Sequence, residues 1–243
     1  MRHLFGATAA LLLSVLPVIA TAQDVTDKKY YSVSISGFPI GRVQYDATTG
    51  EGLYQVQGFL GSSGFFGFFI GTRYSGAVIG EARGADLRPE VFRGRFEARG
   101  KFAQVDMNYV KGIPDAVTHQ PERSALATDI PLTRAADALD PISALYLLLR
   151  DVDASGVCKL DVPIFDGVRL SRVTLGQGKA VDDIVRCEGV YARVGGFSDA
   201  QLEERTDYPF LLEYGQAADG KWRVTQFLAT TDFGVARASL RDR

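Results

Sequence analysis

The chain has 243 residues, 46 % of them hydrophobic, with 26 glycines and a formal charge of −2 from 27 basic and 29 acidic side chains. This is ordinary globular composition, and it excludes a disordered or coiled-coil protein. It offers no cluster of Lys and Arg to neutralise phosphates, so nucleic acid is not an expected partner.

The first 22 residues read as a targeting segment. Arg2 is followed by an apolar run from Leu4 to Pro17 and by the small-residue pattern Ala20-Thr21-Ala22. That run is shorter than the ~20 apolar residues a spanning helix needs, and the small residues fit a cleavage site. A signal peptide over 1–22 and a single β-rich domain over 23–243 are expected, with the protein in the periplasm.

Strand signals begin at once. Tyr31, Val33 and Ile35 alternate with serines, which is the period-two pattern of a half-buried strand. Gly37-Phe38-Pro39-Ile40-Gly41 breaks it, and further short strands follow across Gly-containing turns, as in an antiparallel meander. The stretch Gly61 to Gly71 then places Phe65, Phe66, Phe68 and Phe69 within five residues. It reads either as a connection tucking aromatics into the core or as the apolar rim of a lipid-binding mouth. Phe92 to Phe96 pairs naturally with Ala103 to Tyr109 across Arg99-Gly100. Residues 111–139 are less regular and read as a crossing connection with at most one short strand.

That connection leads into the one strong helix signal, Asp140 to Arg150. Asp140 is a good N-cap and Pro141 fits the first helical position, where no N–H is needed. The residues after it are apolar nearly all round, so the helix should be buried on most sides. Beyond it, strands resume. Asp166-Gly167 carries a type I′ hairpin signal, with Arg169 placed to pair with Asp166 across the turn. Cys158 and Cys187, the only two cysteines, are expected to form a disulfide in an oxidising compartment. The total is about ten to twelve strands. The expected fold is mainly β: a large curved antiparallel sheet, an open or closed barrel-like meander, with one buried helix.

Catalytic patterns are scarce. His119 is the only histidine after the targeting segment, and it sits among prolines with no G-x-S-x-G elbow elsewhere. Asp182 and Asp183 are neighbours, so on a strand they point to opposite faces. No metal-binding, phosphate-loop or dinucleotide pattern is present, and neither a cofactor nor an enzymatic activity is expected.

Gly37-x-Pro39-Ile40-Gly41, the Asp140 to Tyr146 helix start, the run Pro163 to Leu170 and the strand bearing Cys187 together resemble the bacterial exported domain-of-unknown-function family DUF3108. The resemblance spans roughly Tyr30 to Arg193 and implies an exported, β-rich envelope protein without an assigned reaction. The expected function is a non-catalytic binding or carrier module for a lipid-like, apolar or amphipathic ligand. Phe65, Phe66, Phe68, Phe69 and Tyr146 are its candidate contacts. The alternative is a structural or assembly factor acting through an envelope protein partner.

Overall fold

The computed structural model describes residues 24–62 and 72–241. Seven strands form an N-terminal meander: β1 (Val25–Ile35), β2 (Phe38–Gly50), β3 (Leu53–Ser62), β4 (Thr72–Arg83), β5 (Asp86–Ala98), β6 (Lys101–Val110) and β7 (Ile113–Gln120). Six more form a second: β8 (Leu160–Phe165), β9 (Leu170–Val181), β10 (Ile184–Gly195), β11 (Asp207–Gln216), β12 (Trp222–Thr231) and β13 (Gly234–Leu240). Both meanders belong to one antiparallel sheet, ordered β7-β6-β5-β4-β3-β2-β1-β13-β12-β11-β10-β9-β8. The expected curved antiparallel sheet is therefore present, and of the two forms considered it is the open one.

The first and last strands meet in the middle, with Tyr31 opposite Leu240. The outer edges, β7 and β8, are joined by the chain from Pro121 to Lys159, which carries helix α1 (Pro141–Leu149). A sheet this wide is expected to curl, and here the edges come close without pairing. Leu139 bridges to Ile164 of β8, and the Ile130 N–H donates to the Val168 carbonyl at 2.9 Å. On the other side, a Cβ on Gly167 would meet Val105 of β6 at 2.6 Å and Val117 of β7 at 3.2 Å. The loop after β8 thus packs on the opposite end of the sheet.

Strand alternation defines the inner face. Tyr31, Tyr45, Tyr54, Val56, Val78, Phe92 and Met107 all point inward and are buried. α1 lies across this face, with Ile142, Ala144, Tyr146 and Leu149 buried against it. Three glycines lie in direct register on adjacent strands, Gly58 opposite Gly76 and Gly76 opposite Gly94, and the helix approaches over the first two. A Cβ at Gly58 would lie 2.6 Å from Ile142 Cδ1, and one at Gly76 would lie 2.7 Å from Ile142 Cγ1. Strand glycines of this kind mark a close approach, and the helix occupies the room they leave.

In the C-terminal half, Cys158 and Cys187 lie at disulfide distance, as expected, with their Cα atoms 5.3 Å apart. The bridge passes over Gly178, whose Cβ would meet Cys158 Sγ at 2.5 Å. Gly195 to Arg205, a polar stretch, includes the short helix α2 (Asp199–Glu204), closed by a Ser198–Gln201 capping box.

Three expectations need correction. Phe165 pairs with Leu170, so residues 166–169 form a four-residue loop and not a two-residue type I′ turn. Only Gly167 among them has positive φ, because Asp166 stabilises the loop differently: its carboxylate accepts from the N–H groups of Val168 and Arg169 at 2.9 and 2.7 Å. The expected Asp166–Arg169 ion pair is absent among the described residues, and the Arg169 guanidinium instead sits 5.3 Å over the Phe197 ring. Finally, His119 is on edge strand β7, opposite Val105, and not in an irregular connection.

Candidate functional site

The two ends of α1 carry the molecule's most distinctive polar groups. At the N-terminus, Asp140 caps the helix. Its Oδ1 accepts from the N–H groups of Ile142 and Ser143, both at 2.9 Å, and Oδ2 lies 2.5 Å from Ser143 Oγ. Ser143 Oγ is in turn 2.9 Å from the Tyr54 hydroxyl. Asp140 and Ser143 are both fully buried. Burial outweighs these hydrogen bonds and pushes the Asp140 carboxyl up to about 6. Tyr54, Tyr74 and Tyr109 are raised in turn, first by their own burial and then by the nearby Asp140 charge. A protonated Asp140 keeps its cap, because Oδ1 can still accept both N–H groups while Oδ2 donates to Ser143.

At the C-terminus, the acidic groups have cationic partners. Lys29 of β1 is only 8 % exposed, and its Nζ lies 2.6 Å from Asp27 and 3.1 Å from Asp151. Asp151 also holds Arg223 of β12, at 2.6 Å to Nη2. Burial pushes Asp151 up, but hydrogen bonds and charge from Arg223 and Lys29 prevail and leave it below its ordinary value. The Tyr45 hydroxyl donates to Asp27 Oδ2 at 2.6 Å and lies 3.4 Å from the Leu149 carbonyl. Its ring meets Tyr146 edge-on, with centroids 5.5 Å apart, and the Arg150 guanidinium sits 5.8 Å over the Tyr146 ring.

Beside this end of the helix lies a cavity of about 1350 Å³. Gly58, Gly76 and Gly94 are among its lining residues, and Tyr45 and Tyr146 contribute to its wall. Asp27, Lys29, Asp151 and Arg223 also line it. Among the described residues no group of three or more His, Cys, Asp or Glu is placed to hold a metal ion. The Asp140 carboxyl is sealed from solvent, and Lys29 lies between Asp27 and Asp151.

Of the expected site residues, Tyr146 lines this cavity. Phe65, Phe66, Phe68 and Phe69 lie outside the described residues, as does the 1–22 segment. Asp140 and Pro141 sit at the far end of the helix, Asp166, Gly167 and Arg169 at the β8–β9 loop, and the cysteines under β9 and β10. They do not converge. Sequence reasoning missed Lys29, Tyr45, Asp151, Arg223 and the three lining glycines, although two signals were available. Lys29 has the same strand parity as the inward Tyr31, and the three glycines recur at a constant interval of 18 residues.

The fold and its cavity define the class: a single wide antiparallel sheet, curled around one helix and a chamber beside it. The profile of the family described as protein of unknown function (DUF3108) matches residues 30–179, well over half the chain, and the protein belongs to that family. No curated protein and no solved structure matches the chain.

Proposed function

We propose that the protein is an exported binding or carrier module that works in the periplasm and holds an amphipathic small molecule in the chamber beside α1, without catalysing a reaction on it. The observation that carries this reading is the cavity itself. At about 1350 Å³ it exceeds the ~300–1,000 Å³ of common small-ligand pockets. Its Tyr45–Tyr146 wall continues into charged groups, as an amphipathic ligand requires. Export is supported by the Arg2, Leu4–Pro17 and Ala20-Thr21-Ala22 pattern and by a cysteine pair at disulfide distance. Native mass spectrometry of protein released gently from its own compartment tests the proposal. A small molecule recovered bound to the folded protein supports it. Protein that carries nothing and takes up no added amphiphile overturns it.

One observation favours an envelope partner instead. Phe38 and Phe233 are 64 % and 82 % exposed on adjoining turns, joined where Ser36 Oγ donates to the Phe233 carbonyl at 3.2 Å. A photo-crosslinker at position 233 that captures one defined envelope protein in cells would favour that reading.

A further inference from the structure

The charge around the cavity runs against that of the chain. The chain is net negative, whereas the described residues lining the cavity comprise eight basic and only four acidic ones. All four acids are already engaged. Lys29 and Arg223 hold Asp27 and Asp151, Lys28 holds Asp46, and Asp219 accepts the Lys221 backbone N–H at 3.0 Å. Four lining cations, Arg93, Arg150, Lys221 and Arg241, have no carboxylate within ion-pair distance among the described residues.

Two of them, Arg150 and Lys221, flank one backbone bridge from opposite sides. Val152 and Trp222 form an antiparallel bridge, with paired N–H···O bonds of 2.9 and 2.8 Å. Arg150 lies two residues before Val152, and Lys221 directly precedes Trp222. Arg150 is also held in place, because its backbone N–H donates to the Tyr146 carbonyl and its guanidinium rests on the Tyr146 ring. It therefore presents donors beside an aromatic wall, with little side-chain freedom left to lose on binding.

We propose that the cavity selects amphiphiles with an anionic head, a carboxylate or phosphate monoester, which Arg150 and Lys221 bind while the apolar part lies against the Tyr45–Tyr146 wall. This rests on the binding reading above and adds the sign of the head and the groups that meet it. Guanidinium and ammonium donors make their strongest hydrogen bonds to such anions, and excess positive potential in a cleft draws them in.

The test uses four probes with the same dodecyl chain: dodecanoate, dodecyl phosphate, dodecyl maltoside and dodecyltrimethylammonium, each below its micellar concentration. Inorganic phosphate alone is a fifth. Binding is read from the fluorescence of Trp222, the only tryptophan, and by calorimetry. The two anionic probes should bind at least about tenfold more tightly than the maltoside, and the cation more weakly still. That preference should shrink with added salt. The double variant Arg150→Gln/Lys221→Gln should lose the preference while binding the maltoside as before, with an unchanged melting temperature as the control for folding. Equal affinity for all four amphiphiles overturns the anionic selection and leaves the carrier reading standing. Inorganic phosphate binding as tightly as dodecyl phosphate overturns the amphiphile. No binding of any probe overturns both.

Discussion

The two ends of α1 place the same residue type in opposite circumstances. Asp140 has hydrogen-bond donors but no cation, and burial raises it to about 6; Asp151 has two cations, and it falls below its ordinary 3.8. The comparison teaches that burial does not decide a carboxylate's behaviour until its partners are known. The dry end serves the fold, by capping the helix that crosses the sheet. The wet end, with its excess of cations, borders the cavity. One short helix thus separates a structural carboxylate from a chemically addressable one.

The largest effect should come from breaking the dry end. Asp140→Ala removes the cap and leaves Ser143 and Tyr54 buried without their acidic partner, and should cost about 3 kcal/mol in urea or thermal unfolding. A loss below about 1 kcal/mol would mean that the cap is not what seats the helix. At the wet end, Lys29→Met should cost less, about 1–2 kcal/mol, because Asp151 keeps Arg223 and water reaches this site. Equal losses from the two variants would erase the contrast.

Acid should separate the ends by sign. The folded-state value of Asp140 is raised, so its contribution to stability is greatest below about pH 4 and declines as pH rises through about 6. Asp151 is lowered, so its contribution is present above its ordinary value and is lost as pH falls through the lower folded one. Asp140→Asn imitates the protonated cap. It should match or exceed the wild type at pH 7 and lose that advantage by pH 4, whereas Asp151→Asn should lose stability at pH 7 and little further in acid. His119 is lowered too, by burial and then by the Arg123 charge. It is common to all three proteins and cancels when each variant is compared with wild type at the same pH. The smallest effect is expected from Tyr45→Phe. It removes the hydroxyl that joins Asp27 to the end of the helix and should cost about 1 kcal/mol while preserving the ring contact with Tyr146.

Much of this architecture was legible in the sequence because it is local. Asp140-Pro141 announced the helix start, and the alternation of Tyr31, Val33 and Ile35 announced the first strand. Arg99-Gly100 correctly joined β5 to β6, with Phe96 opposite Ala103. The site was not legible, because it is assembled from distant parts. Asp151 meets Arg223 across 72 residues, and periodicity contains no information about which strands become neighbours. Lys29 shares the strand parity of the inward Tyr31, and only the assembled sheet shows which acids it meets. The Asp166-Gly167 turn misled for a local reason, since the Asp side chain takes up the loop's N–H groups itself and the loop needs positive φ only at glycine.

The central pairing of β1 with β13 has a kinetic consequence. The two strands that join the meanders are the first and last of the described sheet, with Ser34 opposite Arg237 some two hundred residues away in sequence. Each meander can zip up from its own hairpins, but neither gains its inner neighbour until β13 has been made and found. Contacts of such long sequence separation slow folding, because the loop must close before any contact rewards it. Until then both halves expose an open inner edge, so a chain cut short before Gly234 would present two unfinished sheets, each a template for pairing with another molecule.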